Sequence, residues 1–588
     1  MVSKLIAIRR LELCAAFALA AISSHAGTAV LTRSFDNART GANLSETILT
    51  PANVGGLKKR FSFKVSDDPR IEAQPLYVNN IQMSDGKVHD VLYVCTMANN
   101  VWAFDVNTGK TIWSKPTNLG HRIKPNGNEI DLFRINIHWG ILSTPVIDRD
   151  TETMYVVAWV SSDGSVKKAH HQLHAVSIVN GSEVHAPVEI TGSVAGTSNP
   201  TFVTSRQKQR AALLLVKEGT SKTLFVPFAM THEQGDSTHG WLFAYDAVSL
   251  RQTAAWCTSP NGSGCGIWQA GGGPSSDQDG DIFLMTGNYG PRDANGNTKT
   301  PATGDLPESI VKLHYASPVD DAHPGDLNPV AFFTPFQDSM RNRQGADNFQ
   351  DYDLGSGGPV VLPGMNVVLG AGKDGVLYIL DRDSAKFGKG SDYANLKQRP
   401  PVFFTYFPGP NVNAEQIANL DQLRDGHTHH LHGSPIFFVD PVRGPMLFVW
   451  GENECLRAWT ISNAGKVSFV AKSAEVASAG APGRGGMPGG LLALSANGAV
   501  PNTGIVWTLT PISGDANTNV VEGILRAYDA TNLNPTHNSD NTPRLKLLWD
   551  SKRIPGNSFK HSKFCPPVVA DGRVFVATYD GKVDEYGL

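Results

Sequence analysis

The feature that most constrains this chain is a short phrase that returns along its whole length. In the clearest copy, Val91-Leu92-Tyr93-Val94 leads through an Asn99-Asn100 turn into Val101-Trp102-Ala103-Phe104-Asp105. Asn107-Thr108-Gly109-Lys110 then turns into Thr111-Ile112-Trp113. Apolar runs of this length, split by Asn/Gly turns, read as antiparallel strands joined in hairpins. The phrase returns over 367–381, turned by Gly370 to Gly375, and over 573–586, turned at Asp580-Gly581. Weaker copies lie at 240–246, 456–459 and 524–529. Upstream stands a brief strand led by Gly or Pro, as in Gln74-Pro75-Leu76-Tyr77, Gly357-Gly358-Pro359-Val360, Gly433-Ser434-Pro435-Ile436 and Cys565-Pro566-Pro567-Val568. Small residues suit a strand whose backbone is crowded by its counterparts around an axis. The pattern predicts about eight units of four antiparallel strands between Glu72 and Leu588. The fold class is thus all-β, an eight-bladed β-propeller with the Gly/Pro strand of each blade innermost.

Such a ring must close. The last unit lacks an outer strand after Tyr586, and Leu57 to Phe63 alternates in the way a strand requires. This N-terminal strand is predicted to complete the last blade, which removes two sheet edges at once. A pair of β-sandwiches is the competing architecture, and unbroken repeats on both sides of the midpoint argue against it. A length of 588 residues fits one domain because each added blade extends the same ring.

Ahead of the repeats, Lys4, Arg9 and Arg10 precede an apolar run from Leu11 to Ile22, and Ser24-His25-Ala26 follows. The segment reads as a signal peptide over 1–26, cleaved before Gly27, with 27–588 as a single propeller domain. The run is too short to span a bilayer and is interrupted by Glu12. A secreted or periplasmic protein without a membrane span in its mature chain is expected. A net charge of −3 gives no electrostatic reason to expect nucleic acid as a partner. Cys257 and Cys265 flank a turn and are candidates for a short disulfide. No Cys-x-x-Cys-His occurs, so no covalent haem is expected.

Strands ending in Trp after a Gly-Lys turn, with Val-Trp-Ala-Phe-Asp (101–105) or Val-Leu-Tyr-Ile-Leu-Asp (376–381) inside, resemble the PQQ repeat of the quinoprotein alcohol dehydrogenase-like superfamily. The resemblance covers almost the whole mature chain. Phe35 to Asn43, Asp353 to Pro359, His432 to Pro435 and Lys563 to Pro567 are similar to phrases of an exported bacterial subgroup described as PQQ-binding-like. The resemblance implies PQQ on the axis, stacked between a Trp floor and a disulfide of adjacent cysteines. It also implies bound Ca²⁺ and an Asp acting as base. This chain departs from the pattern, since no two of its cysteines are adjacent.

The residues just ahead of the innermost strands would line an axial pocket. They include Arg70, Glu72 and Gln74, His138 and Trp139, Trp268 and Gln269, Asp353, His430 and His432, and Lys563 with Cys565. Glu72, Gln74, Trp139 and Trp268 are expected to bind a cofactor; Asp353, His430, His432 and Lys563 are expected to carry chemistry. The densest signal is Asp425 to Gly433. His430 and His432 alternate on an extended stretch and so share a side, as metal ligands would, with Asp353 or Glu72 as a ligand from another blade. His427 and His429 read as exposed loop residues, and His170, His171 and His174 as structural. Trp113, Trp256 and Trp549 are expected between blades. Asp105, Asp246, Asp381 and Asp529 are expected to cap turns.

Three functions fit this pattern. The first is an exported quinoprotein-like oxidoreductase acting on an alcohol or sugar, with PQQ and Ca²⁺, and passing electrons to an external acceptor. There Asp353 or Glu72 would take the hydroxyl proton while Lys563 or Arg70 steadies the oxyanion. The second is a non-redox lyase or hydrolase that uses His430 and His432, with a metal, on a polymeric carbohydrate. The third is a non-catalytic envelope scaffold for binding or assembly.

Overall fold

The hairpins anticipated from the Asn/Gly phrases close in register in the computed structural model: Val91 pairs with Asp105, Val367 with Asp381 and Val574 with Tyr586. The structure describes residues 28–588 except 127–128, 131–134, 198, 233–237, 292–293, 295–298, 321–323, 336–352, 384–388, 391–395, 399–428, 479–485 and 533–535. The expected leader and His427 lie outside the described residues. Each hairpin is locked by the aspartate that ends its second strand. Asp105 Oδ1 accepts the N–H groups of Asn107 and Thr108 at 2.7 and 3.0 Å. Asp246, Asp381 and Asp529 accept backbone N–H groups in the same way.

Eight such sheets follow one another along the chain. Their innermost strands are Leu76–Gln82, Val146–Asp148, Leu214–Glu218, Ser275–Ser276, Val360–Val361, Ile436–Asp440, Leu491–Ser495 and Val568–Ala570, which define blades 1 to 8. Both faces of every blade are buried, because each sheet packs against two neighbours. Ile282 and Leu284 thus face blade 3 while Phe283 and Met285 face blade 5. The core is therefore a ring of inter-blade layers. Trp113 packs between blades 1 and 2, Trp549 between blades 7 and 8, and Trp256 against the layer between blades 3 and 4.

The ring closes where the sequence places the closure. Lys58–Lys64 pairs antiparallel with Lys582–Gly587, with Phe63 opposite Val583. Phe63, Tyr77, Phe104 and Phe575 then fill the layer between blades 8 and 1. Cys257 and Cys265, candidates for a disulfide, are separate buried thiols.

A second N-terminal device has no counterpart in the repeat. The segment from Val30 to Asn43 runs around the axis and bonds to the inner edge of every blade in turn. Val30 pairs with Tyr77 in blade 1, and the carbonyl of Leu31 accepts from Ile147 in blade 2. Asn37 donates from its amide to the Leu215 carbonyl in blade 3 at 2.7 Å, and its own carbonyl accepts from Ser276 in blade 4. The carbonyls of Ala38, Thr40 and Gly41 accept from Val361, Phe437 and Leu494 in blades 5, 6 and 7. Asn43 reaches Val569 in blade 8 at 3.0 Å. Gly41 sits at φ +74°, and a Cβ there would fall 2.3 Å from Ile436 Cγ2, so only glycine fits.

Candidate functional site

The residues just ahead of the inner strands collect at the other end of the axis. Glu72 of blade 1 is the hub. Its carboxylate accepts Arg210 at 2.9 Å, the Tyr579 hydroxyl at 2.6 Å and the Asn136 amide at 2.9 Å. Burial opposes the charge on Glu72, yet Arg210 and these donors outweigh it and hold the carboxyl below its usual range. Glu72 is thus a charge partner, and neither a free base nor a metal ligand. Arg70 likewise spends its guanidinium on the carbonyls of Ile135 and Tyr579, both at 2.7 Å.

Phe564 forms the next layer. Its ring lies 5.0 Å from the Arg210 guanidinium carbon and 4.9 Å from Lys563 Nζ, and it stacks on His432 at 5.7 Å. A phenylalanine at φ +65° is strained, and it is held by Arg33, which donates to the Phe564 carbonyl at 2.9 Å. Lys563 donates to Asn517 Oδ1 at 2.8 Å. Burial, reinforced by Arg210, lowers its proton affinity to a pKa of about 7.

The third group joins blades 2 to 5. Lys208 lies on a short strand paired with Ala229, and its Nζ stands 4.9 Å from the Trp139 ring and 5.1 Å from the Trp268 ring. Trp268 precedes another strained stretch, with Gln269 and Ala270 at φ +47° and +42°. Gly287 separates Trp268 from Asp353; a Cβ there would meet Asp353 Oδ1 at 2.3 Å and Trp268 Cδ1 at 3.2 Å. Asp353 accepts Lys373 Nζ at 2.7 Å and the Asn288 N–H at 2.9 Å.

In blade 6 the alternation holds. The Leu431 backbone bonds to Gly372 and Ser356 of blade 5, while His430 and His432 turn together with ring centroids 5.9 Å apart. Glu452, and neither Asp353 nor Glu72, stands with them. Its Oε1 is 3.0 Å from His432 Nε2 and its Oε2 is 3.8 Å from His430 Nδ1. His429, expected to be exposed, is buried and faces Glu454 at 3.6 Å, because the next strand end covers it.

So His432 and Lys563 meet across one phenyl ring, and Asp353 is reached through Trp268 and Lys208. Gln74 is the exception. Its amide donates to the Thr32 carbonyl and accepts from the Ser34 N–H, both at 3.3 Å, so it anchors the N-terminal segment. Lys208, Arg210 and Glu452 escape sequence reasoning. Blade 3 lacks a Gly/Pro phrase to mark its axial residues, although Lys208 and Arg210 alternate directly ahead of Ala211 to Leu215.

Residues 39–130 match the family described as glucose/ethanol/alcohol dehydrogenase, beta-propeller domain. The fold is that of a PQQ-type β-propeller. It superposes on the quinohemoprotein alcohol dehydrogenase ADHIIG of Pseudomonas putida HK5 with a TM-score of 0.52 and 14% identity, covering 95% of this chain and 80% of that one. The quinohemoprotein alcohol dehydrogenase of Comamonas testosteroni gives 0.53 and 16% over 95% and 80%. A europium-containing methanol dehydrogenase gives 0.52 and 12% over 95% and 98%. No curated protein sequence matches. At such identity the likeness speaks for the fold alone, and this propeller's chemistry must be argued from its side chains.

The donor set permits a direct test against PQQ and Ca²⁺. Three cations, Lys208, Arg210 and Lys563, are 1%, 5% and 1% exposed, next to two indoles. The indole N–H groups of Trp139 and Trp268 are buried without a hydrogen-bond partner among the described residues. A flat, carboxylate-bearing ring system fits such a cradle. An oxygen-only Ca²⁺ shell does not fit, because Glu72, Asp353 and Glu452 are committed to Arg210, Lys373 and histidines. Among the described residues the thiols are also isolated, and Cys565 points to the Ala73 carbonyl.

Proposed function

We propose that this propeller is an exported quinoprotein-like oxidoreductase that binds a flat polycarboxylate quinone at the axial mouth and oxidises an alcohol or sugar hydroxyl. The observation that supports it is a cluster of buried cationic side chains: Lys563 lies within electrostatic reach of Arg210 and Lys208 as well as of Glu72 and Asp515, and Arg210 is paired with Glu72. Buried cationic groups strengthen hydrogen bonds to an anionic ligand, so this cluster suits one that brings carboxylates. Lys208, Arg210 and Lys563 would hold those carboxylates, and Trp268 would flank the ring. When bound, an ortho-quinone supplies a two-electron acceptor for the carbon that bears the hydroxyl. Asp353, paired with Lys373 until substrate binds, would take the hydroxyl proton. Electrons would leave to an external acceptor, and the 1–26 leader would carry the protein out of the cytoplasm.

The test is a titration of purified protein with PQQ, followed by tryptophan fluorescence, and then dye reduction with a panel of alcohols and sugars. Saturable quenching is expected, and Lys563→Met should weaken it about 10-fold or more. The affinity should also fall as pH rises through about 7, where Lys563 loses its proton in the free protein. PQQ that binds wild type and Lys563→Met alike would overturn the cradle.

A further inference from the structure

We propose that His430, His432 and Glu452 form a site for one divalent first-row transition metal. The three donor atoms lie within 4.8 Å of one another. Ligands that share an ion at about 2.0–2.2 Å stand about 3–3.5 Å apart. The 3.0 Å and 3.8 Å separations of Glu452 from His432 and His430 lie near that span, and side-chain movement of about an ångström would bring all three donors to it.

The backbone fixes both ligand-bearing segments before any metal arrives. Glu452 donates its N–H to the His430 carbonyl at 2.9 Å, and Leu431, between the two histidines, is tied to blade 5. His432 is clamped on its flat side by Phe564. Preorganised ligands on rigid elements are what a metal centre needs. Two imidazoles and one carboxylate suit zinc, iron, cobalt or nickel; calcium and magnesium prefer oxygen alone. Three protein ligands leave coordination positions free, as in catalytic centres rather than structural ones. The Phe564 ring that stacks on His432 also has Lys563 and Arg210 within 5.0 Å of its centroid.

The metal site stands apart from the quinone cradle, since it shares no residue with it and is assayed without quinone. The experiment is Co²⁺ titration of the metal-stripped full-length protein, read by visible d–d absorption and by metal analysis after gel filtration. Saturation at one Co²⁺ per chain is expected, with displacement by Zn²⁺. His432→Ala and Glu452→Gln should each weaken binding by more than about 100-fold, beyond what loss of an outer-sphere partner gives. His429→Ala, which alters the neighbouring His429–Glu454 contact, should bind Co²⁺ as wild type does. Circular dichroism of each variant establishes that it is folded. Weak, unsaturable Co²⁺ uptake by folded wild type, or wild-type uptake by folded Glu452→Gln, would overturn the proposal.

Discussion

The two ends of the propeller axis are finished in different materials. At one end the chain crosses the channel with its own backbone, and the segment from Val30 to Asn43 gives each blade a hydrogen bond. At the other end, side chains from separate blades meet in a cluster of buried charges and rings, with two strained stretches of backbone. Arg39 and Lys563 make the contrast concrete. Both are buried cations whose proton affinity burial lowers, to pKa values of about 9 and about 7. Arg39 spends its guanidinium on the carbonyls of Pro274, Leu213 and Arg33 and on Thr32, at 2.8–2.9 Å. Lys563 has one amide partner, Asn517. Arg39 is thus satisfied by backbone carbonyls, whereas Lys563 is the buried cation that the proposed ligand would meet.

The largest effect should come from the closed end. Arg39→Met leaves three carbonyls and a hydroxyl without their donor, and should cost about 3–5 kcal/mol in urea unfolding. If it costs less than about 1 kcal/mol, the segment is an ornament and the contrast fails.

At the open end the sign should reverse. Lys563→Met removes a desolvated charge and should stabilise the fold by about 1–4 kcal/mol near pH 6 while weakening anion binding. The pH dependence follows from linkage. Lys563 releases its proton at about pH 7 when folded, whereas the ordinary value is 10.5. Between these values the unfolded chain binds more protons, so wild-type stability rises with pH across that window. The advantage of the variant should shrink over the same range, and a constant advantage would show that Lys563 is not the group responsible.

The smallest effect belongs to the wall between the ends. His171 is stacked on Trp159 at 5.1 Å, meets Phe228 edge-on at 4.9 Å and donates to the Gln207 carbonyl at 3.1 Å. Burial lowers its pKa from 6.5 to about 3. The folded state therefore loses stability as pH falls from about 6.5 toward 3, where only the unfolded chain is protonated. His171→Phe should cost about 1 kcal/mol at neutral pH and flatten that acid slope in thermal melts. An unchanged slope would place the acid sensitivity elsewhere.

Much of the architecture was legible because hairpin turns, period-two apolarity and turn-capping aspartates are local signals. Asp105 and Phe63 do in the fold what their neighbours in sequence require. The axial site was legible wherever a Gly/Pro phrase marked an inner strand, as at Trp268, Asp353, His432 and Lys563. It was illegible at Lys208 and Arg210, where blade 3 lacks that phrase. Glu452 follows an outward-running strand and returns to the axis only because blade 6 folds back on itself. Nothing in the repeat announces that an N-terminal segment will bond to the Gln74 amide.

By itself the amino-acid sequence determined that strands form and how they pair within a blade, since hydrogen bonds between sequence neighbours set these, and the repeat count with its unpaired last unit pointed to closure of about eight blades through an N-terminal strand. The tertiary structure alone decided which charges share the axis, and that Glu452 rather than Asp353 or Glu72 stands with the histidines. Such partnerships depend on distances between blades, and those distances exist only once the ring is closed.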